Sequence, residues 1–129
     1  MFAASINHPE ALSISPHGNR INWLITKEKC PCNFELRYIQ IPVGSKTGNG
    51  HHPYEHEVFV VSGKGLLLGV DIFGQNYEEE LVFGKSIFVQ SDEMHQWVNT
   101  GSEELCLVCV IPNGAEDEFK TNCIVKGTK

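Results

Sequence analysis

Three of the six histidines in this 129-residue chain, His51, His52 and His56, fall within six positions, and His95 follows about forty residues later. Imidazole nitrogens converging on one point are the donor set of a site for a divalent first-row metal. Whether they can converge depends on strand parity, because side chains at alternate positions of a strand share a face. His56, Val58 and Val60 fall on one face of their strand, and Glu57, Phe59 and Val61 on the other. By the same count His95, Trp97 and Asn99 share a face. His52 immediately precedes Pro53-Tyr54-Glu55, so a hairpin there would set His52 across from His56 on a neighbouring strand. The competing reading is that these are surface histidines beside a turn.

The elements that must position them are short strands. The run from Val58 to Val61 is apolar and β-branched and closes at Gly63, as a strand ended by a tight turn does. Residues 20–27 and 34–42 read as two earlier strands, joined by a turn at Cys30-Pro31-Cys32-Asn33. The polar, glycine-rich loop 44–50 leads into the histidines. Later strands are expected at 66–73 and 79–83, joined around Gly74-Gln75-Asn76, and at 86–90, 95–99 and 105–111, with an edge strand at 122–126. Glu78, Glu79 and Glu80 read as a solvated hairpin face. No stretch carries a sustained helical period. Eight or nine short strands with turns every 8 to 12 residues describe an all-β antiparallel barrel or jelly roll.

Composition narrows the function. Net charge is −6, and the ten Lys and Arg are scattered, which argues against nucleic acid and against an anionic membrane surface. No apolar run approaches the roughly 20 residues of a membrane span. The start of the chain lacks the basic residues and long apolar stretch of a signal peptide. Five cysteines, an odd number, then suit the reducing cytoplasm. The length suits one domain, read as an N-terminal arm (1–19), a barrel (20–112) and a C-terminal tail (113–129).

Two segments resemble the paired motifs of the cupin family. Gly44, His52, His56 and Gly63 fall in the places of the first: a glycine, five residues, His-x-His, three or four residues, Glu or His, six residues, glycine. Gly84, His95 and Asn99 match the second, with Gln90 where proline is usual and Asp92 where glycine is usual. His52-Pro53-Tyr54-Glu55-His56-Glu57 and the strand from Leu107 to Pro112 are similar to small single-domain bacterial and archaeal cupins. The resemblance spans residues 20–112 and implies a single-domain cupin double-stranded β-helix, a jelly-roll barrel. It further implies a homodimer built through arm and tail, and one divalent transition metal (Fe, Mn, Zn or Ni) on His52, His56 and His95. In the family such sites support dioxygenases, decarboxylases, isomerases and epimerases.

This sequence departs from the motif at one ligand. The first histidine of His-x-His would be residue 50, and the chain has Gly50. Either a bulge at that glycine turns His51 inward as a replacement, or the site has three histidines and His51 stays on the loop.

Other residues have simpler readings. Cys106 and Cys109 spell Cys-x-x-Cys, but within a strand they face opposite ways and cannot chelate together; Cys109 reads as a small core residue. Cys30 and Cys32 flank a proline in a turn, and Cys123 lies in the tail. An inward Arg37 would pair with a substrate carboxylate. Trp97 would wall the metal or belong to the core. With neutral imidazoles as ligands and Glu57 facing away, the metal's charge favours an anionic small-molecule ligand. The expected function is a small metal-dependent cupin enzyme acting on a carboxylate-bearing molecule. The alternative is a non-catalytic barrel that binds a ligand or metal as sensor or carrier.

Overall fold

A computed structural model describes residues 1–7, 11–120 and 124–125. It contains ten strands: β1 (Ala11–Ile14), β2 (Arg20–Ile25), β3 (Phe34–Ile41), β4 (His56–Ser62), β5 (Gly65–Val70), β6 (Asn76–Leu81), β7 (Ser86–Val89), β8 (Met94–Asn99), β9 (Leu105–Pro112) and β10 (Ile124–Val125). A single helical turn, α1 (Asp117–Lys120), follows β9. The strands form a seven-stranded sheet, β10-β1-β2-β3-β9-β4-β7, and a three-stranded sheet, β6-β5-β8. Every pairing is antiparallel. This is the all-β jelly roll expected from the strand count.

Alternation builds the interior. On β8, His95, Trp97 and Asn99 are buried, while Met94, Gln96 and Val98 are only partly so. On β9, Leu107, Cys109 and Ile111 are buried and Val108 and Val110 less so. Register carries one inward row across the large sheet. Trp23 pairs with Arg37, Arg37 with Cys109, Cys109 with Val58, and Val58 with Ile87. The row is apolar apart from Arg37, and it joins Val60, Leu67, Leu81, Trp97 and Leu107 in one core.

Several elements depart from the bounds read in the sequence; β6, for example, runs over Asn76–Leu81 where a strand was expected at 79–83. Residues 11–14 of the arm are a strand: Leu12 and Ser13 are buried, and Trp23 Nε1 donates to Ser13 Oγ at 2.8 Å. The backbone ladder to β2, the buried Leu12 and this side-chain bond together dock the segment. Strand β5 stops at Val70 instead of reaching residue 73, because Asp71 Oδ1 accepts the backbone N–H of both Phe73 and Gln75 at 2.9 Å. Such local bonds compete with a sheet ladder and close a turn. Of the edge strand expected at 122–126, Ile124–Val125 pairs with β1; residues 122, 123 and 126 lie outside the described residues. Among the described residues no helix is long and apolar enough to cross a membrane.

Candidate metal centre

The loop before the histidines is an irregular, strand-like partner of β8. Lys46 pairs with Val98 and Gly50 with His95, four steps along the loop against three along β8. The extra residue is a bulge, and it lies before Gly50. From Gly50 onward the register is fixed by two backbone bonds to His95, at 3.3 and 3.0 Å. Position 50 therefore shares the inward face of His95, His51 turns out to solvent, and His52 turns in. The bulge does not bring His51 to the site.

His52 and His56 do not face each other as hairpin neighbours. The segment carrying His52 belongs to the β8 side, where Asp92 N–H donates to His52 O at 2.7 Å. His56 opens β4 in the large sheet, opposite Val89. Pro53, Tyr54 and Glu55 carry the chain from one sheet to the other, so the two imidazoles meet across the interior. The turn that carries Asp92 has that residue at φ 66, a left-handed conformation in which glycine is at ease and aspartate is tolerated. This accounts for the glycine usual at that place.

One ring nitrogen from each of His52, His56 and His95 lies within 4.8 Å of the other two. His52 Nε2 and His56 Nε2 are 3.1 Å apart. Two nitrogens bound to one ion at ~2.0–2.1 Å lie ~3.0–3.4 Å apart, so this spacing fits a shared cation. The opposite ring nitrogens have partners that leave Nε2 free. His95 Nδ1–H donates to Glu93 O at 2.8 Å, His52 Nδ1 lies 3.4 Å from Tyr54 O, and His56 Nδ1 lies 3.2 Å from Cys109 Sγ. For His95 and His52 the partner is a carbonyl, which can only accept, and this places their proton on Nδ1 and the lone pair on Nε2. Burial, reinforced by Arg37 and the other two histidines, pushes the His56 imidazole down to about 2. Burial and His95 also hold His52 below its ordinary value. Both are neutral donors at physiological pH. The donor set fits a divalent transition metal.

Arg37 is inward and buried, as one of the two possible directions required. Its Nη2 donates to Cys109 Sγ at 3.0 Å and lies 3.4 Å from His56 Nδ1. Burial holds the Cys109 thiol up, and the sulfur joins core and site. The Arg37 Nη1 pairs at 2.5 Å with Glu116, a residue of the tail that no motif or strand alternation directs to the site. Glu116 is 6% exposed; its Oε2 accepts the Tyr54 hydroxyl at 2.6 Å and lies 3.9 Å from His56 Nε2. Arg37 Nε is buried without a hydrogen-bond partner. Trp97 is a core residue whose ring centroid stands 6.4 Å from that of His95.

The turn that presents Glu116 is strapped down. Glu35, fully buried, accepts Lys120 Nζ at 2.5 Å and the backbone N–H groups of Lys27 and Gly114. Lys27 also pairs with Asp117, and Asn113 bonds the Cys30–Cys32 turn through Cys32 O. An open cleft of about 740 Å³ lies over the site between the turns that contain Tyr54 and Ala115, lined also by His51 and His52. The other groove, about 460 Å³, is on the outside of the large sheet between Phe59, Phe88 and Val110, away from the histidines. On that side Glu57 bonds Glu55, which pushes its carboxyl up to about 7, so neither acid faces the site.

A family model described as "Cupin domain" matches residues 37–111, and the chain belongs to the cupin family. A search of the curated proteins finds no match. Similar solved structures include the polyketide cyclase RemF from Streptomyces resistomycificus, at 23% identity and a TM-score of 0.64 over 86% of this chain and 72% of that one. A cupin 2 conserved barrel protein from Salinispora arenicola is 22% identical, with a TM-score of 0.65 over 85% and 88% of the two chains. An oxalate oxidase in complex with the substrate analogue glycolate is 16% identical, with a TM-score of 0.71 over 87% of this chain; the chain spans 59% of that one. At these identities the likeness is one of fold.

Proposed function

We propose that this chain is a metal-dependent cupin enzyme acting on a small carboxylate-bearing molecule. The observation that carries the reading is the convergence of His52, His56 and His95, with two Nε2 atoms 3.1 Å apart inside the barrel. The ion is one of Fe, Mn, Zn or Ni. Bound there, it supplies a Lewis-acid centre with positions left for a ligand. Val58, Val60 and Trp97 give the site a dry wall. Arg37 and Glu116 cancel in charge, so an anionic ligand is the natural counter-charge to the ion. Glu116 is a titratable group beside the cluster, as acid–base chemistry requires. The oxalate oxidase of similar fold, which binds glycolate, agrees with a small carboxylate as ligand class. Dimerisation through residues 1–19 and 113–129 belongs to the same reading and is measured by light scattering. Elemental analysis of protein purified without added metal tests the reading: about one ion per chain is expected, and much less in His56→Ala and His95→Ala. Wild-type metal content in both variants would overturn it.

A second reading, a barrel that binds without catalysis, is favoured by the Tyr54–Glu116 bond that joins the two turns over the site. Release of product from a 2-oxo acid with a single carboxylate by the metal-loaded protein supports the enzyme. Stoichiometric binding with no turnover supports the carrier.

A further inference from the structure

The geometry points to Glu116 as the residue that sets the charge of the ligand: it admits one carboxylate to the metal centre and bars a second. This rests on the metal-site reading above and adds to it which anions the site accepts.

Three observations carry the inference. First, Glu116 lies where a second carboxylate of a ligand would go, between the Arg37 guanidinium and the Nε2 atoms of the histidines. One of its oxygens is 2.5 Å from Arg37 Nη1, and the other is 3.9 Å from His56 Nε2. Second, it is held in place. Tyr54 OH bonds Oε2 from the facing turn, and the turn that carries Glu116 is tied down by the Gly114 N–H to Glu35 and by the side chain of Asp117 to Lys27. A carboxylate held on a strapped turn is a permanent part of the cavity. Third, it neutralises the inward cation that a second carboxylate would seek, and Lys27 at the edge of the cleft is likewise paired, with Asp117. Arg37 is the inward guanidinium of this sheet row, and its charge is already matched. A ligand's first carboxylate still meets an ion whose clustered protein donors, among the described residues, are three neutral imidazoles. Its second meets a carboxylate in a cavity of low dielectric, where like charges repel strongly.

The electrostatic signature follows from the ligand's own charge. Removing the negative charge of Glu116 shifts the binding energy in proportion to the charge carried in. If a monoanion gains about ten-fold, a dianion gains about a hundred-fold, on the scale of charge-assisted bonds. Lactate and malate make a suitable pair: each offers the metal a 2-hydroxy carboxylate, and malate adds one carboxylate. Titration calorimetry on Co²⁺-loaded protein is the measurement. Wild type should bind lactate at least as tightly as malate. Glu116→Gln should raise lactate affinity about ten-fold and malate about a hundred-fold, and Arg37→Met added to it should remove most of the malate gain.

An unchanged malate-to-lactate ratio in Glu116→Gln overturns the inference. So does a loss of Co²⁺ affinity in that variant, which would make Glu116 a metal ligand. Should Glu116→Gln fail to fold, wild-type protein decides the matter with malamate, which is malate with its second carboxylate capped as an amide. Malamate should bind about ten-fold or more tightly than malate, and equal binding overturns the proposal. A wild-type protein that takes up no Co²⁺ at all overturns the metal-site reading itself, and this is seen before any ligand is added.

Discussion

Gly50 and His95 face one another as an antiparallel pair, each N–H donating to the other's carbonyl, at 3.3 and 3.0 Å. Opposed residues project to the same side, so a side chain at 50 would enter the site beside the His95 imidazole. A Cβ there would meet no atom within 4 Å. The fourth imidazole is missing for want of a side chain, with the space and direction for it preserved. Gly50→His should therefore raise metal affinity about ten-fold or more, read by competition with a chromophoric chelator. Unchanged affinity would mean that an imidazole at 50 does not reach the other three.

The histidine substitutions should separate the three inward rings from the outward one. His52→Ala, His56→Ala and His95→Ala are each expected to lose metal and to melt at lower temperature in its presence. An ion present at about 100 times its Kd stabilises the native state by about 2.7 kcal/mol. A chelator should lower the melting temperature of the wild type and leave that of His56→Ala unmoved. His51→Ala should match the wild type in both measurements, because that side chain is exposed and lies outside the group of converging ring nitrogens.

What the sequence disclosed follows from where a period operates. Strand parity placed His56 with Val58 and His95 with Trp97, and the register confirms both inward faces. It also kept Glu57 out of the site. His52 does turn inward, but not through the hairpin with His56 that the Pro53-Tyr54-Glu55 turn suggests. The actual route crosses between sheets, and nothing local distinguishes those two turns. The bulge before Gly50 was likewise hidden, since its position depends on pairing with β8, which is about fifty residues away. Glu116 was invisible for a different reason. It lies beyond the last long strand, where no alternation fixes direction, and it is held by Arg37 and Tyr54 from distant parts of the chain.

Asp92 gives a test of backbone strain at the second motif. Its φ of 66 places a β-carbon in the left-handed region, while its N–H holds His52 O at 2.7 Å. Glycine relieves that conformation without removing the N–H, at the cost of more freedom in the unfolded chain. Aspartate is already among the better-tolerated residues there. The net gain from Asp92→Gly should be small, about 0.5–1 kcal/mol, with metal affinity unchanged. Asp92→Val should lower stability by more than that and weaken metal retention, because the displaced turn carries the His52 contact. Chemical denaturation of the metal-free proteins measures the first effect and chelator competition the second. A destabilised Asp92→Gly would show that the aspartate side chain has a role of its own.

The Arg37–Glu116 pair should be worth far more when broken than when replaced. Both side chains are nearly inaccessible, at 4% and 8%, so water screens neither charge. Removing one partner leaves the other ionised and buried, which typically costs about 3–5 kcal/mol. Removing both in favour of apolar residues of similar volume eliminates the desolvation of two ions together with their attraction, and such exchanges are often close to neutral. Arg37→Met and Glu116→Leu should each destabilise the metal-free protein by about 3–5 kcal/mol. The double variant should lose less than either single one, even though Arg37 also bonds Cys109 and Glu116 also accepts from Tyr54. Those two remaining groups set the residual, and Tyr54→Phe in the double background should recover part of it. Urea unfolding of the four proteins closes the cycle. Additive losses, with the double variant as unstable as the sum of the singles, would mean that the two charges do not depend on each other and that Glu116 is held in place by its strapped turn alone.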